Sequence, residues 1–235
     1  MSPTPICRIE STIRVIAKDV QDSVAPIFMP RAESVLRREL ICCILSSQVP
    51  YHVAVSATDG LVRSGLAEEE LVLPREDVER AVLDVLLKPL HTVNGLQRYR
   101  FPKRRAHDIA AALATFRLCH GSISRFLRKY PDPPEARAWL VIHVPGLGPK
   151  QASMFLRNAG HSRDLAILDR HILKYMRLIQ ISDLAGGVSR LTDYEREERR
   201  FAAHAASLGF PVGILDWAVW IVLRAAAKLE GAAGW

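Results

Sequence analysis

The sequence predicts an all-α protein made of two helical lobes with a central cleft between them. Apolar residues recur at helical spacing along almost the whole chain, and no segment alternates like a strand over more than a few residues. Turns rich in glycine and proline separate the helical stretches. With 235 residues, of which 49% are hydrophobic, the chain is long enough to enclose a substantial core.

The apolar periodicity marks out the helices in order. We expect helices at residues 6–24, 31–47, 51–64, 76–87, 104–117, 122–129, 135–143, 149–158, 169–179, 194–207 and 212–228. Three prolines at 131, 133 and 134 separate the helices that precede them from those that follow. We therefore expect a single functional unit with one lobe at 31–130 and a second at 131–235 together with 1–30.

Charge and cysteine content limit the possible partners and the compartment. The formal net charge of +7 favours a polyanionic partner. The four cysteines show neither metal-binding spacing nor a disulfide framework, and Cys42 and Cys43 lie inside an apolar run, where we expect buried thiols. A reducing, intracellular compartment fits this pattern.

The sequence predicts no contact with a membrane. The N-terminus carries Arg8 and Glu10 without an apolar segment, unlike a signal peptide. The longest apolar stretch, at 212–227, is interrupted by Asp216 and Arg224 and is too short to span a bilayer. We expect a cytoplasmic protein that associates with the nucleoid and acts as a monomer.

A tight hairpin is predicted between the helices at 135–143 and 149–158. Gly146 and Gly148 allow a sharp turn whose exposed N–H groups, with the start of the next helix, can hold a phosphate independently of base sequence. A nucleotide-binding P-loop is excluded because the two glycines are too close together and Lys150 is followed by Gln151 instead of Ser or Thr.

Lys150 and Asp169 are the candidate catalytic residues. The amine of Lys150 lies at the positive end of a helix dipole, which favours the uncharged, nucleophilic form. Taken singly, these features also fit a plain helix–helix turn, a solvated lysine at a helix start and an aspartate N-cap. Together, a phosphate-holding turn, an amine and an acid indicate an enzyme that removes bases from DNA.

The hairpin region resembles a known superfamily. Residues 140–169 resemble the helix-hairpin-helix motif of the DNA glycosylases with a Gly/Pro-rich loop and a distal aspartate (HhH-GPD), in which a lysine at this hairpin position marks the bifunctional members. Gly-Leu-Gly-Pro-Lys-Gln at 146–151 and Leu-Ala-Ile-Leu-Asp-Arg-His at 165–171 are most similar to the small 8-oxoguanine DNA glycosylase/AP lyases of the second, archaeal and bacterial class. Weaker similarity covers 44–48 and 99–106.

The resemblance implies a mechanism and a cofactor content. Lys150 attacks C1′ of the damaged nucleoside, Asp169 stabilises the positive charge that develops on the sugar, and a Schiff base forms. Many relatives hold an iron–sulfur cluster through four cysteines beyond the aspartate, but this chain has no cysteine after Cys119, so we expect no cofactor and no metal.

The resemblance also suggests residues that handle the flipped base. Gln48 matches the position that fills the gap in the DNA, and Met154 stands where the larger 8-oxoguanine enzymes have a cysteine. Asp216 could bond a purine edge while Trp220 stacks on it, although a tryptophan pair at 217 and 220 is also typical of a core. Trp235 could fold back to the cleft or fray.

The densest basic cluster is the candidate track for the DNA backbone. It lies at 98–105, with aromatic residues interleaved, and its phosphate-binding candidates are Arg100, Lys103, Arg104 and Arg105. Gly146, Gly148 and Gln151 of the hairpin are the other backbone contacts we expect. A solvated basic face would have the same composition.

The function predicted from the sequence is excision of an oxidised purine, 8-oxoguanine first, from double-stranded DNA by a bifunctional glycosylase/AP lyase. Two alternatives stay open at this stage. The first is a glycosylase for another modified base, including phage-type modified bases. The second is a helix-hairpin-helix module that binds DNA without catalysis.

Overall fold

The computed structural model describes residues 5–23, 31–68, 73–184 and 186–233. These residues form eleven α-helices and one two-stranded sheet, which confirms the all-α prediction. The helices are α1 (Pro5–Ser23), α2 (Glu33–Leu45), α3 (Tyr51–Arg63), α4 (Arg75–Leu86), α5 (Pro102–His120), α6 (Ile123–Lys129), α7 (Pro133–His143), α8 (Pro149–Asn158), α9 (Arg170–Leu178), α10 (Leu191–Leu208) and α11 (Val212–Ala233).

Every predicted helix is present, with ends that shift by a few residues. Helix α5 begins before the predicted residue 104, because Pro102 occupies its first turn, where the missing N–H costs nothing, and it continues to His120 before Gly121. The predicted end of α1 at residue 24 lies outside the described residues.

A small antiparallel hairpin precedes α5 and was not predicted. Strands β1 (Leu90–Thr92) and β2 (Gly95–Gln97) pair Leu90 with Gln97 and Thr92 with Gly95. Each strand has three residues, too few for an alternating pattern to be recognised in the sequence.

The chain divides into two compact units, Met1–Phe28 with Ser162–Trp235, and Met29–His161. This division differs from the predicted lobes, because the hairpin of α7 and α8 belongs to the unit at 29–161 instead of the C-terminal lobe. The physical reason is that α8 packs against α2 as well as against α7. The boundary consequently falls after the hairpin and not before it.

The unit at 29–161 is built around the buried helix α2. Leu40, Ile41 and Ile44 are fully buried there. Glu33, at the start of the helix, accepts hydrogen bonds from the N–H groups of Ile123 (2.7 Å) and Ser124 (3.0 Å) through its two carboxylate oxygens. This carboxylate therefore caps α6 and fixes it to α2.

The other unit has its own core, in which α1 and α9 pack against α11. Its fully buried side chains include Ile13, Tyr175, Tyr194 and Phe201. The described residues contain no single helix long and apolar enough to cross a membrane; α10 and α11 reach such a length only when joined across a bend of 92°.

Candidate active site

The turn between α7 and α8 favours glycine at position 146. Gly146 has φ +85°, a conformation that residues with a side chain rarely adopt. A Cβ at this position would lie 2.9 Å from Cγ2 of Ile44 and 3.0 Å from Cβ of Asp108. The turn is therefore pressed against α2 and α5, and its position is fixed by both.

Helix α8 begins without any side-chain cap. Gly148 is the N-cap residue and offers no side-chain acceptor, Pro149 follows, and Lys150 is the second residue of the helix. The N–H of Ala152 bonds to the Gly148 carbonyl at 2.9 Å, as a normal first turn requires. Because no side chain occupies this helix start, its positive end is available to an anion. Lys150 and Gln151 are both half-buried there.

Helix α8 packs against α2, and the charge of Lys150 acts on Cys43 of that helix. Burial raises the pKa of the Cys43 thiol far above its ordinary value, and the positive charges of Lys150 and Arg157 act against that rise. Cys42 and Cys43 are 3% and 0% exposed, as predicted for structural thiols. Met154 is half-buried one turn after Lys150.

A buried polar contact joins the two arms of the hairpin. Nη1 of Arg137 on α7 donates to Oγ of Ser153 on α8 at 3.3 Å, and both side chains are at most 1% exposed. The sequence offered no signal for this pair, since Arg137 looks like a surface residue of an ordinary amphipathic helix. The contact fixes how α8, and with it Lys150, sits on α7.

Gln48 is exposed in a strained turn. Its φ is +60°, which is uncommon for a residue with a side chain. Two side chains hold the backbone just before it: the Tyr99 hydroxyl donates to the Leu45 carbonyl at 2.7 Å, and Nη2 of Arg105 approaches the Ser47 carbonyl at 3.4 Å. The turn thus presents Gln48 to solvent from a fixed position.

Arg105 does not have the exposed position that the sequence suggested. It is 4% exposed, and its Nη1 donates to Oδ2 of Asp108 at 2.7 Å. The prediction that Arg105 contacts a DNA phosphate is therefore corrected, because its guanidinium is committed to a buried carboxylate one helical turn away. Arg100, Lys103 and Arg104 are exposed, as the basic track requires.

Asp169 is the N-cap of α9. Its Oδ1 accepts the N–H groups of His171 (2.7 Å) and Ile172 (3.0 Å). Both bonds use one oxygen, so the helix does not need Oδ2. Asp169 is half-buried and belongs to the unit of residues 1–28 and 162–235, whereas Lys150 belongs to the unit at 29–161.

Asp216 and Trp220 on α11 also have protein partners. Asp216 is 2% exposed, and its Oδ2 accepts the N–H of Ile167 at 2.7 Å, so this oxygen bonds the backbone instead of the predicted purine edge. The Arg224 guanidinium lies 4.6 Å from the centre of the Trp220 ring, and Trp220 packs against the core. Trp217 is 42% exposed. Trp235 lies outside the described residues.

Within the parts of the chain that the structure describes, no group of three or more His, Cys, Asp or Glu residues could hold a metal ion.

Comparison with known proteins assigns the family. A family model described as 8-oxoguanine DNA glycosylase matches residues 25–210 of the chain. This chain belongs to the 8-oxoguanine DNA glycosylase family. The match includes α2 to α10, and therefore both the hairpin and the start of α9.

Curated relatives resemble this member of the family over most of their length. The 8-oxoguanine DNA glycosylase/AP lyase of Sulfurisphaera tokodaii is 32% identical over 186 residues, which cover 78% of this chain and 79% of that protein. The enzyme of the same name from Metallosphaera sedula is 32% identical over 194 residues, covering 80% of this chain and 82% of that protein.

Solved structures share the fold of this family member. The Methanocaldococcus jannaschii 8-oxoguanine glycosylase/lyase in complex with 15mer DNA containing 8-oxoguanine has a TM-score of 0.62 at 22% identity, covering 93% of this chain and 90% of that chain. The 8-oxoguanine DNA glycosylase of Thermotoga maritima has a TM-score of 0.61 at 23% identity, covering 91% of this chain and 88% of that chain.

Proposed function

We propose that this family member is a bifunctional DNA glycosylase/AP lyase that excises an oxidised purine, 8-oxoguanine first, from double-stranded DNA. The observation that carries the proposal is Lys150 in the first turn of a helix with no side-chain cap, directly after a glycine turn that packing holds in place. The curated relatives that carry this activity in their names match the chain over about four fifths of its length.

Lys150 is the nucleophile of the proposed reaction. Once Nζ has lost its proton, its lone pair forms a bond to C1′ while the bond from C1′ to N9 of the purine breaks, and the base leaves and takes up a proton. Opening of the sugar ring gives a Schiff base between Nζ and C1′. Loss of a proton from C2′ then expels the 3′ phosphate, which is the lyase step. The reaction consumes no oxidant and no metal.

Asp169 is the electrostatic partner in the proposed reaction. While the bond to the base breaks, positive charge develops on the sugar, and a fixed carboxylate stabilises it more than it stabilises the neutral substrate. Oδ1 is held by two backbone N–H groups of α9, so the carboxylate does not have to reorient during the reaction. Oδ2 is the oxygen left for the substrate.

DNA binding in the proposal uses the start of α8 and side chains that are exposed. The N–H groups at the start of α8 hold a phosphate, and Arg100, Lys103 and Arg104 add contacts that neutralise charge without reading sequence. Gln48 fills the gap that the flipped base leaves, since its strained turn projects it outward. We propose that one chain acts alone, without an iron–sulfur cluster, as no cysteine follows Cys119.

The methionine at position 154 favours a second candidate substrate. The larger 8-oxoguanine enzymes have a cysteine at the position of Met154. The methionine thioether is longer than a cysteine side chain and changes the shape of the base pocket. An alkylated base, an oxidised pyrimidine or a phage-type modified base is the alternative substrate of the same chemistry. The panel of lesions in the experiment below separates the two.

The proposal is tested by trapping with borohydride, which reduces a Schiff base to a stable covalent adduct. The wild-type chain is incubated with duplexes that carry 8-oxoguanine opposite cytosine, other modified bases or an abasic site. We expect an adduct with the 8-oxoguanine duplex that disappears in Lys150→Gln and persists in Lys88→Gln, a change at an exposed lysine after α4. Binding without an adduct on any duplex would instead indicate a module that only binds DNA.

A further inference from the structure

The segment that leads into Asp169 is buried without belonging to a helix or strand. Ala166, Ile167 and Leu168 are at most 6% exposed, and none of them lies in a regular element. Buried N–H groups need acceptors, and these three residues cannot obtain them from a ladder or a helix. Side chains from α10 and α11 supply them instead.

Each N–H of the segment donates to a different side chain. Ala166 donates to Oε1 of Glu198 (2.8 Å), Ile167 to Oδ2 of Asp216 (2.7 Å) and Leu168 to the hydroxyl of Tyr194 (3.0 Å). The two carboxylates give charge-assisted hydrogen bonds, which are stronger than neutral ones. The three acceptors, Tyr194, Glu198 and Asp216, are called the tether below.

Tyr194 contacts the segment twice. Its hydroxyl accepts from the Leu168 N–H and donates to the Ala166 carbonyl at 2.7 Å, so one oxygen bridges the two ends of the segment. The ring is fully buried in the core that α1, α9 and α11 share. Because the ring cannot move without disturbing this core, its hydroxyl holds the backbone at 166–168 in one position.

A close approach fixes the chain a few residues earlier. The N–H of Gly213, at the start of α11, donates to the Arg163 carbonyl at 2.9 Å, and a Cβ at Gly213 would lie 2.5 Å from that oxygen. After the segment, the N–H of Asp169 bonds to the Ile167 carbonyl at 2.7 Å. The backbone of Asp169 is thus set by the segment before it and by α9 after it.

We propose that Tyr194, Glu198 and Asp216 are positioning residues for Asp169. They act through the backbone at 166–168 and do not touch the DNA, so they set where the carboxylate stands when charge develops on the sugar. This inference rests on the proposed function. A misplacement of about 1 Å in a catalytic group can slow a reaction on the order of 100-fold. The loss of one hydrogen bond in the tether should therefore slow release of the base.

The sharpest variant is Tyr194→Phe, which removes the bridging oxygen and keeps the ring. We expect single-turnover release of 8-oxoguanine to slow roughly 10- to 100-fold, with duplex affinity unchanged. Tyr175→Phe is the matched control, since this hydroxyl is also buried but bonds to Nε2 of His204 at 2.8 Å, away from the segment. It should release the base at the wild-type rate.

A double-mutant cycle separates positioning from a general loss of structure. If Tyr194 acts through Asp169, the slowing caused by Tyr194→Phe should largely vanish in an Asp169→Asn background, because asparagine still caps α9 but lacks the charge. Glu198→Gln keeps an acceptor for the Ala166 N–H and should stay close to the wild-type rate, whereas Glu198→Ala should be slow. Both Glu198 variants leave Tyr194 unchanged, so they test the proposal even if Tyr194→Phe folds poorly.

The outcomes distinguish this inference from the function on which it rests. A wild-type chain that releases no base from any duplex overturns the proposed function and the inference with it. A wild-type chain that releases the base, with Tyr194→Phe and Glu198→Ala equally fast, overturns the inference alone. Equal slowing by Tyr194→Phe with and without Asp169 also overturns it, because the residue would then act independently of the acid.

Discussion

Arg105 and Asp108 form a buried ion pair on one turn of α5, with Nη1 and Oδ2 2.7 Å apart. The same aspartate packs against the space where Gly146 has no side chain, and the same arginine reaches the Ser47 carbonyl before Gln48. One ion pair therefore holds two parts of the candidate site, the hairpin and the Gln48 turn. Helix α5 therefore positions both the hairpin and the Gln48 turn.

Arg105→Gln should lower the stability of the protein strongly. Removing one member of a buried pair leaves the carboxylate of Asp108 without its hydrogen-bonded cation, which typically costs about 3–5 kcal/mol of unfolding free energy. Urea unfolding followed by circular dichroism measures this loss. Arg104→Gln is the control, because its side chain is 77% exposed and 3.9 Å from the same carboxylate, and its unfolding curve should match the wild type. Similar curves for both variants would show that the buried pair is not a stability determinant.

Arg104→Ala should weaken DNA binding through the loss of a phosphate contact. The plot of log affinity against log salt concentration should become shallower by about 1, because one fewer counterion is released. Titration of a fluorescent duplex at several salt concentrations measures the slope. The same slope as the wild type would remove Arg104 from the DNA track.

Gly146→Ala should destabilise the hairpin more than a glycine replacement elsewhere with a similar backbone. Position 65 provides the comparison, because Gly65 has φ +77° and a Cβ there would meet nothing within 4 Å. At Gly146, with φ +85°, a Cβ would lie 2.9 Å from Ile44 and 3.0 Å from Asp108. Both variants bear the conformational strain of a positive φ, about 1–2 kcal/mol, and only Gly146→Ala adds a steric clash. Equal losses of unfolding free energy would show that the surroundings of Gly146 yield easily.

The stability of the protein should fall as the pH drops below the ordinary histidine pKa of 6.5. Burial lowers the pKa of His161, His171 and His204 in the folded chain. The unfolded chain therefore binds more protons at pH values below 6.5, and folding loses free energy there, while these histidines add no pH dependence well above 6.5. Thermal melting at pH 5 to 8 measures the trend. His161→Gln should flatten it, and a melting temperature that is constant or rises toward pH 5 would contradict it.

Asp169→Asn should slow base release strongly while duplex affinity stays near the wild-type value. Asparagine preserves the helix cap, so the loss should come from the missing negative charge and not from unfolding of α9. Single-turnover kinetics and a binding titration on the same duplex measure the two quantities. Equal losses of binding and release would contradict the role assigned to the acid.

The sequence predicts the helices well because their signals are local. Apolar spacing, Pro102 and the Gly146–Gly148 turn each act within a few residues, and the hairpin with Lys150 can be read from such signals. The burial of Arg105 could not be predicted from local signals, because it depends on Asp108 and on the Ser47 carbonyl of a distant turn. A basic run looks the same whether one of its members points inward or outward.

The environment of Asp169 was partly predictable for the same reason. An aspartate before an apolar helix indicates an N-cap, and the cap is present. The tether of Tyr194, Glu198 and Asp216 was missed because its acceptors come from positions far along the chain, where they look like ordinary members of amphipathic helices. A spacing pattern carries no information about contacts of this kind.

Mass spectrometry of the borohydride-trapped complex after proteolysis tests whether Lys150 is the residue that bonds to the sugar. We expect the sugar remnant of the 8-oxoguanine duplex on the peptide that contains Lys150, with the added mass on that residue. An adduct at another amine of the chain, or no adduct on a duplex that the protein binds and cleaves, would contradict it.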